Sequence, residues 1–436
     1  MPKIRTFLEL DYILLFAVLV LVVFGILFIY SSGITSEGVL ISTEYRRQMI
    51  WAGIGLVMAL VLAMINYRRI HDFSVYLYIG TIVLLFYTWI FGRVIYGTRW
   101  LRIGSFGFQV SEFAKITTIL FLARYLDITR RNQKVIVRFI VSSFIVLCPM
   151  AVILLQPDLG TALVYIPILL GMTFIAGISI RYIIFFILSI VLAGILLVLP
   201  LWQTAIMNNA FPALMVLINI RFVAACCMTL FMIGLIAWFG FIRYEKRYFF
   251  WICYIAGIFI FSLGASFLAH KVLREYQIMR LIVFMDPNVD PRGSGWHIIQ
   301  SITAIGSGGA FGKGYLQGTQ SHYRYLPEQS TDFIFSIFSE EWGFLGGILV
   351  FALFLIINLR MIRIMRVTAD AFGSYIMAGL VSMFSFHFLI NVGMTMGIMP
   401  ITGIPLIFMS YGGSSLLTAM IGIGLALSIH VRRYQH

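Results

Sequence analysis

Long runs of apolar residues recur along almost the whole chain, with mostly short polar connections between them. A helix needs roughly 17 to 25 such residues to cross a hydrocarbon core about 30 Å thick. About twelve runs meet this requirement, at approximately 11–32, 47–66, 73–92, 109–126, 137–155, 159–178, 182–201, 222–242, 249–269, 333–358, 374–397 and 403–430. The pattern predicts an all-α polytopic membrane protein with about twelve transmembrane helices.

Composition agrees with this membrane assignment and excludes a soluble globule. Of 436 residues, 61% are hydrophobic and only 11% are charged, too few polar groups to cover a water-exposed surface. No internal repeat or separate soluble domain is visible, so residues 1–436 are predicted to form a single integral membrane domain. The long polar loop at 271–331 follows the ninth run, and this asymmetry argues against a transporter built from two equivalent halves.

The distribution of Lys and Arg predicts the orientation of the chain. Basic residues in short loops stay on the cytoplasmic side, and most of the 31 Lys and Arg residues lie on one side if both termini are cytoplasmic. The loops at 93–108 and 271–331 then lie outside. This topology and anionic lipid at the inner surface account for the net charge of +14, so nucleic acid is not an expected partner. The four cysteines all fall in apolar runs and indicate neither disulfides nor a metal-thiolate site.

Asp332 is the principal candidate for a catalytic residue. It lies in the run Leu326–Phe335, where the long polar loop meets a new apolar helix. A carboxylate at that junction can face water, a helix N-terminus and the membrane surface at once, and so can act on a substrate that is partly lipid. A helix N-terminus also stabilises the charged form of a carboxylate, which weakens it as a base and favours it as a metal ligand. Both roles are left open for Asp332, and Glu328 is a candidate assistant in either.

Glu112 and Lys115 are the charged residues nearest the start of the fourth apolar run. They are three residues apart, so they face the same side of a helix and can form an ion pair. One interpretation is a self-neutralising pair that helps the helix to insert. The other is a pair that lines a polar cavity and contacts substrate.

The loop before that helix contains three further candidates, Arg99, Trp100 and Arg102. Trp is common at the headgroup level of any membrane protein, so Trp100 can be an anchor as well as a substrate contact. The two arginines lie on the predicted outer side, against the usual preference for the inside. Guanidinium groups bind phosphate oxygens in a bidentate manner, which predicts a phosphate-binding role.

Two breaks in apolar sequence carry polar residues. Gln156–Thr161 contains Pro157 and Asp158, and the aspartate is placed either to cap the following helix or to contact substrate. Met399–Ser415 contains two prolines and three glycines, and irregular backbone at membrane depth must be buried in protein or line a wet cavity. We expect a cavity wall here, with Ser410 as a candidate substrate contact.

The polar loop at 271–331 is expected to form short helices on the membrane surface, because a structureless loop of this length is unusual. Its Gly-Lys sequence lacks two residues of a phosphate-binding P-loop and is not interpreted as one. In the helix that follows, one of Glu340 and Glu341 is expected to face a cavity. The spacing does not decide which.

Taken together and in this order, the motifs closely resemble the SEDS family (shape, elongation, division and sporulation). The resemblance covers most of the chain outside 203–270, and it rests on Arg99–Trp100, Gln109–Lys115, Gln156–Thr161, Asp286–Ser301, Ile305–Gly314, Leu326–Phe335 and the run to Ser415. The run from Pro400 to Pro405 is more similar to the elongation branch, typified by RodA, than to the division branch, typified by FtsW.

The resemblance implies a peptidoglycan glycosyltransferase that polymerises lipid II at the outer face of the bacterial cytoplasmic (inner) membrane. It also implies a class B penicillin-binding protein and other membrane proteins of the elongation complex as partners, besides membrane lipid. The family's essential aspartate matches Asp332. Arg99, Arg102, Lys115 or a divalent cation, Mg²⁺ or Mn²⁺, would stabilise the departing pyrophosphate, and Asp332 would accept the proton of the attacking hydroxyl or hold the cation.

The chain departs from the family pattern at Val110 and Ile407, where proline is usual, and at 203–270, a probable insertion of two helices into a ten-helix bundle. An even number of inserted helices keeps Asp332 on the outer side. Two other functions use the same features: a flippase or transporter of lipid-linked cell-wall precursors, and a scaffold for cell-wall enzymes.

Overall fold

The computed structural model describes residues 9–95, 100–103, 106–131, 133–206, 214, 216–273, 275–291 and 293–434. Helices dominate these residues. In the first half of the chain they are α1 (Tyr12–Ser32), α2 (Glu44–Met64), α3 (Arg68–Ile95), α4 (Val110–Ile128), α5 (Val135–Leu155), α6 (Leu159–Leu163), α7 (Tyr165–Ile175) and α8 (Ile180–Ile206). In the second half they are α9 (Ile220–Tyr244), α10 (Arg247–Val272), α11 (Glu275–Met285), α12 (Ser294–Ser307), α13 (Thr319–His322), α14 (Ile334–Val367), α15 (Ala371–Thr395) and α16 (Gly413–Val431).

Among the described residues, ten helices are long and apolar enough to cross a membrane: α1, α2, α3, α5, α8, α9, α10, α14, α15 and α16. The all-α polytopic class is thereby confirmed, with two fewer such helices than the twelve predicted. The fourth predicted run is helical as α4, but its 19 residues include four charges, those of Glu112, Lys115, Arg124 and Asp127. The sixth is a shorter apolar stretch, Leu159–Ile175, interrupted between α6 and α7.

Among the described residues, one short antiparallel hairpin is the only extended element longer than an isolated β-bridge. Strand β1 (Trp100–Ile103) pairs with β2 (Phe106–Gln109), and Trp100 lies opposite Gln109. The backbone N–H of Gln109 donates to the Ser414 hydroxyl over 2.9 Å, which ties the hairpin to the start of α16. The predicted outer loop at 93–108 therefore contains a structured ribbon.

The chain divides into two compact units, residues 178–295 and the remainder. In the unit formed by 178–295, α9 and α10 are joined by a tight turn at Glu245, which has a left-handed backbone with φ of 52°. The Ser262 hydroxyl of α10 donates to the Ser189 carbonyl of α8 over 3.0 Å. The predicted insertion at 203–270 lies within this unit, and its status as an insertion stays a prediction.

The other unit, residues 1–177 and 296–436, contains the candidate site. Its helices approach each other closely where glycine removes a side chain: a Cβ on Gly25 of α1 would lie 2.5 Å from the Met409 carbonyl oxygen, and one on Gly160 of α6 would lie 2.4 Å from that of Thr402. The segment 399–412 is thus packed between helices. Helix α16 begins at Gly413 rather than near 403, since Gly403 is left-handed at φ 72° and Pro405 lacks an N–H donor.

The polar loop predicted at 271–331 contains three short helices, α11, α12 and α13, with a 3₁₀ turn at Pro287–Val289. Their position on a membrane surface stays a prediction.

An ion pair at the start of α1 fixes that helix to α14. Asp11 is 2% exposed, caps α1 by accepting from the Leu14 N–H over 3.1 Å, and receives Arg360 Nε over 2.8 Å and Arg360 Nη2 over 2.7 Å. A buried carboxylate without its partner is strongly destabilising.

We therefore expect Arg360→Gln to lower the free energy of unfolding by about 1.5–3 kcal/mol, the usual contribution of hydrogen bonds to a charged group. Thermal or denaturant unfolding of the purified protein measures this loss. Arg363→Gln, at an exposed position of the same helix, is the control and is expected to unfold like the parent. Equal unfolding of all three proteins would contradict the assignment.

Candidate active site

Asp332 lies in a tight turn immediately before α14. The Glu328 carbonyl accepts three backbone N–H groups, from Thr331 at 3.3 Å, Asp332 at 3.1 Å and Phe333 at 3.4 Å. Glu328 itself is exposed and left-handed, with φ of 48°. Helix α14 begins at Ile334, so the half-buried Asp332 precedes the first helical turn, as the sequence predicted.

Three other parts of the unit formed by residues 1–177 and 296–436 hold this turn. The Gln329 side-chain amide donates to the Ser32 carbonyl at the end of α1 over 2.7 Å. The Tyr411 N–H donates to the Ser330 carbonyl over 2.8 Å. The Asn391 side chain on α15 donates to the Asp332 carbonyl over 2.9 Å. The turn that carries Asp332 is therefore anchored to α1, to the 399–412 segment and to α15.

Glu112 and Lys115 form the predicted ion pair, with Lys115 Nζ 2.9 Å from Glu112 Oε2. Lys115 is 1% exposed and Glu112 is 5% exposed. Lys115 Nζ also lies 3.1 Å from His387 Nε2, and His387 Nδ1 lies 3.2 Å from the Pro405 carbonyl. The pair is thus a buried network that joins α4, α15 and the 399–412 segment. A substrate contact of either charge stays a prediction.

Ser410 has a clear local role within the 399–412 segment. Its hydroxyl accepts the Leu406 N–H over 2.8 Å, and its carbonyl receives the Gln48 side-chain amide over 3.1 Å. Ser410 is buried, as are most residues from 401 to 410. The predicted irregular segment is therefore stabilised by burial against helices, and its predicted role as a cavity wall, like a substrate contact of Ser410, remains to be tested.

Asp158 caps α6, as predicted, because its Oδ1 accepts the Thr161 N–H over 3.3 Å. Its Oδ2 accepts the Gln109 side-chain amide over 2.9 Å, which joins this cap to the hairpin. Trp100 on that hairpin is 42% exposed, consistent with either predicted role. Arg102 belongs to β1, but its side chain lies outside the described residues, as does the whole of Arg99.

Glu340 and Glu341 are both buried and have different partners. Glu340 Oε1 accepts from Lys313 Nζ at 2.7 Å, from the N–H groups of Thr319 at 2.8 Å and Gln320 at 3.0 Å, and from the Thr319 hydroxyl. Glu341 accepts the Leu316 N–H over 3.0 Å and the Ser31 hydroxyl. Of the two, Glu341 lines a cavity of about 420 Å³ that Tyr315 and Trp342 also border. Whether either glutamate faces the substrate stays a prediction.

These carboxylates affect neighbouring groups of the loop. Burial raises the pKa of Tyr315 to about 12, and the charge of Glu341 acts in the same direction. Burial lowers the pKa of His322, although the nearby Glu340 carboxylate opposes this shift. Burial thus favours the neutral forms of Tyr315 and His322, which lie beside these glutamates.

Helix α14 is interrupted next to these glutamates, at Gly343, where φ is 64° and ψ is −161°. A glycine-rich segment completes the hydrogen bonding of the break: the Lys313 and Gly314 N–H groups donate to the carbonyls of Glu340 at 3.0 Å and Glu341 at 2.9 Å. The Phe344 N–H in turn donates to the Gly309 carbonyl over 2.9 Å. Gly308 and Gly312 are therefore required by close backbone contact with α14, since a Cβ on either would lie 2.1 Å from a carbonyl oxygen of that helix.

His387 and Asn391 were missed as site residues because they lie within an apolar run and lack a recognisable motif. A signal was present, since polar side chains four residues apart inside a membrane helix face the same side and usually have a functional or pairing role. Their partners, at 115, 332, 404 and 405, are distant in sequence. Spacing along α15 alone does not identify those partners.

No group of three or more His, Cys, Asp or Glu side chains suited to a metal lies within the described residues. Mg²⁺ and Mn²⁺ can be held by one or two carboxylates together with substrate phosphates. Asp332, with the exposed Glu328 four residues before it, is the carboxylate pair available for such a role. An apolar cavity of about 570 Å³ lined by α2, α3, α4 and α16 contains none of the predicted site residues whose side chains are described.

The fold and site together define a polytopic membrane protein in which buried charges and an aspartate turn meet at one irregular segment. The family model described as "Cell cycle protein", which groups FtsW, RodA and SpoVE, matches residues 12–215 and 200–435. The chain belongs to this family.

Curated relatives and solved structures agree with that membership. The chain is 49% identical over 432 residues to the peptidoglycan glycosyltransferase RodA of Treponema pallidum, covering 99% of this chain and 100% of the relative. It is 32% identical over 438 residues to the peptidoglycan glycosyltransferase MrdB of Escherichia coli K12, covering 99% and 97%. The similarity is therefore to the RodA type.

Two solved structures have the same fold. A chain from a peptidoglycan synthase complex that coordinates polymerization and crosslinking matches with a TM-score of 0.67 and 25% identity, covering 98% of this chain and 99% of that one. The crystal structure of the rod shape determining protein RodA of Thermus thermophilus matches with a TM-score of 0.61 and 23% identity, covering 98% of each chain.

The glycine segment beside α14 yields a paired prediction. A Cβ on Gly312 would lie 2.1 Å from the Glu341 carbonyl oxygen, whereas one on Gly309 has no atom within 4 Å. Both residues are left-handed, at φ 78° and 56°, so alanine at either position has a backbone cost of roughly 1–2 kcal/mol. Gly312→Ala is expected to reduce the free energy of unfolding further than Gly309→Ala, because it also separates α14 from the loop. Equal losses in denaturant unfolding would show that the close approach is unimportant.

Proposed function

We infer that this chain is a peptidoglycan glycosyltransferase of the RodA type. The observation that carries the inference is similarity along the entire chain to relatives with that activity in their names, one of them 49% identical over its full length. The chain is an integral, multi-pass membrane enzyme, in agreement with its ten long apolar helices among the described residues. Its activity is the polymerisation of glycan strands for the cell wall.

The substrate is lipid II, and the reaction takes place at the outer face of the bacterial cytoplasmic membrane during cell elongation. Both termini are cytoplasmic in this proposal. The excess of Lys and Arg in short loops on the side of the termini supports the orientation. The proposed partners are a class B penicillin-binding protein, other membrane proteins of the elongation complex, and membrane lipid. The fold shared with a chain of a synthase complex that coordinates polymerization and crosslinking supports the first of these.

Asp332 is proposed as the residue that accepts the proton from the attacking sugar hydroxyl. Asp332 is half-buried, and its turn is held by three parts of the fold, so the backbone that carries the carboxylate has a defined position just before α14. A positioned base of this kind contributes about 10²–10⁴-fold to a rate. Lys115, with Arg99 and Arg102, is proposed to stabilise phosphate charge. Five further residues are proposed to contact other parts of the substrate: Trp100, Glu112, Asp158, Glu328 and Ser410.

A divalent cation, Mg²⁺ or Mn²⁺, is proposed to assist. When bound, it would neutralise negative charge on the departing pyrophosphate. Asp332 and Glu328 are the carboxylates of this chain that would hold it, and substrate phosphates would complete its ligands. A flippase of lipid-linked precursors uses the same polar groups without forming glycan, but the activity named for the relatives favours the polymerase.

The first test is Asp332→Asn, which keeps the size of the side chain and removes its ability to accept a proton. We expect glycan polymer formation from purified lipid II to fall by about 10²–10⁴-fold, with normal membrane insertion and thermal unfolding. Gel separation of the reaction products measures polymer length and amount. Glu37→Gln, at an exposed carboxylate outside the site, is the control. Parent-like polymer formation by Asp332→Asn would refute the catalytic role, and precursor movement across vesicles without polymer would favour the flippase.

The second test removes divalent cations from the wild-type enzyme with a chelator. Polymer formation is expected to stop and to return when Mg²⁺ or Mn²⁺ is added in excess. Undiminished polymer formation in the chelator would exclude the cation from the reaction.

A further inference from the structure

Helix α15 presents two buried polar side chains, His387 and Asn391, one turn apart on one face. They are 1% and 0% exposed. A polar side chain at this depth is costly unless it is hydrogen-bonded, so their partners identify what they do. Both contact the irregular 399–412 segment, and they also contact the candidate site: His387 contacts the Lys115 ammonium, and Asn391 contacts the backbone carbonyl of Asp332.

Asn391 joins the Asp332 turn to the irregular segment. Its side-chain nitrogen donates to the Asp332 carbonyl over 2.9 Å and to the Ile404 carbonyl over 2.8 Å. Two acceptors around one atom fix the orientation of the amide, because the reverse orientation would place its oxygen against two carbonyl oxygens. One side chain therefore sets the distance between the turn before α14 and residue 404.

His387 joins the buried Glu112–Lys115 ion pair to the irregular segment. Lys115 Nζ carries only donors, so His387 Nε2 accepts from it over 3.1 Å, and the ring proton lies on Nδ1. Nδ1 then donates to the Pro405 carbonyl over 3.2 Å. The histidine is therefore neutral, with its tautomer assigned by its two partners. It holds Lys115, and through Lys115 Glu112, against the peptide next to the one that Asn391 contacts.

We propose that His387 and Asn391 are positioning residues of the polymerase, which set Asp332 and the Lys115–Glu112 pair at a defined separation across the peptides of Ile404 and Pro405. The proposal rests on the catalytic role proposed for Asp332. Neither residue takes part in proton transfer. Their effect is on geometry, and a displacement of about 1 Å at a reacting group can reduce a rate by about 10²-fold.

The experiment compares kcat, KM and thermal unfolding of four variants with lipid II as substrate. Asn391→Leu keeps the approximate size and removes both donors, and we expect kcat to fall by about 10-fold or more with KM changed less than about twofold. His387→Phe is expected to lower kcat likewise. His387→Gln, whose amide can accept from Lys115 and donate to the Pro405 carbonyl, is expected to recover most of the activity, which a merely space-filling role of the ring does not predict.

The matched control is Ser385→Ala. The Ser385 hydroxyl donates to Asn358 Oδ1 over 2.9 Å, so this variant also removes a side-chain hydrogen bond between α15 and α14, but away from Asp332. We expect parent-like kcat. If Asn391→Leu does not fold, Asn391→Ser, which keeps one hydroxyl donor, replaces it with the same expected direction.

Parent-like kcat in folded Asn391 and His387→Phe variants overturns the proposal. A loss of activity that Ser385→Ala shares also overturns it, as does a loss that only reflects a smaller amount of folded protein. Asp332→Asn is measured in parallel. If Asp332→Asn is inactive while the Asn391 variants are fully active, the positioning role fails and the catalytic role stands. If Asp332→Asn is active, the catalytic role of Asp332 is refuted, and the positioning proposal that rests on it is refuted as well.

Discussion

Buried backbone polar groups that no helix satisfies impose the main constraint on this protein. The 399–412 segment is irregular and packed between helices, where an unpaired N–H or carbonyl is costly. Side chains from other elements supply its partners: Asn391 and His387 bond the carbonyls at 404 and 405, and Gln48 bonds that of Ser410. Asn391 and His387 also contact the Asp332 turn and Lys115. The hydrogen bonds that satisfy the backbone of the segment therefore also arrange the candidate site.

The same constraint explains the broken helix that begins beside Asp332. Helix α14 changes direction at Gly343, which leaves backbone groups without helical partners. The glycine-rich segment 308–314 supplies those partners, and the absence of a side chain at Gly308 and Gly312 permits the close approach. Glu340 and Lys313 then join the two parts by a charge pair in which the glutamate is buried and the lysine is partly exposed. The first two turns of α14 are thus held at one end by the Asp332 turn and at the other by this clamp.

Similarity to RodA-type glycosyltransferases links these arrangements to a reaction. Transfer of a sugar between lipid-linked partners requires a base and positive charge at fixed positions, and a membrane interior offers few polar groups with which to build them. In this chain the charges are few, and those of Glu112, Lys115, Glu340 and Lys313 are all paired. Pairing and shared backbone acceptors keep each group in place.

The sequence by itself determined the class of the protein, most of its membrane helices, the Glu112–Lys115 pair, the Asp158 cap and the location of Asp332 before a helix. These features depend on residues close in sequence, whose relative positions follow from helix geometry and hydrophobic length. Only the tertiary structure decided which glutamate of 340 and 341 lines a cavity, what the glycines at 308–314 contact, and that His387 and Asn391 join the charged groups. Those partners lie tens to hundreds of residues apart, so helix packing alone brings them within hydrogen-bonding distance.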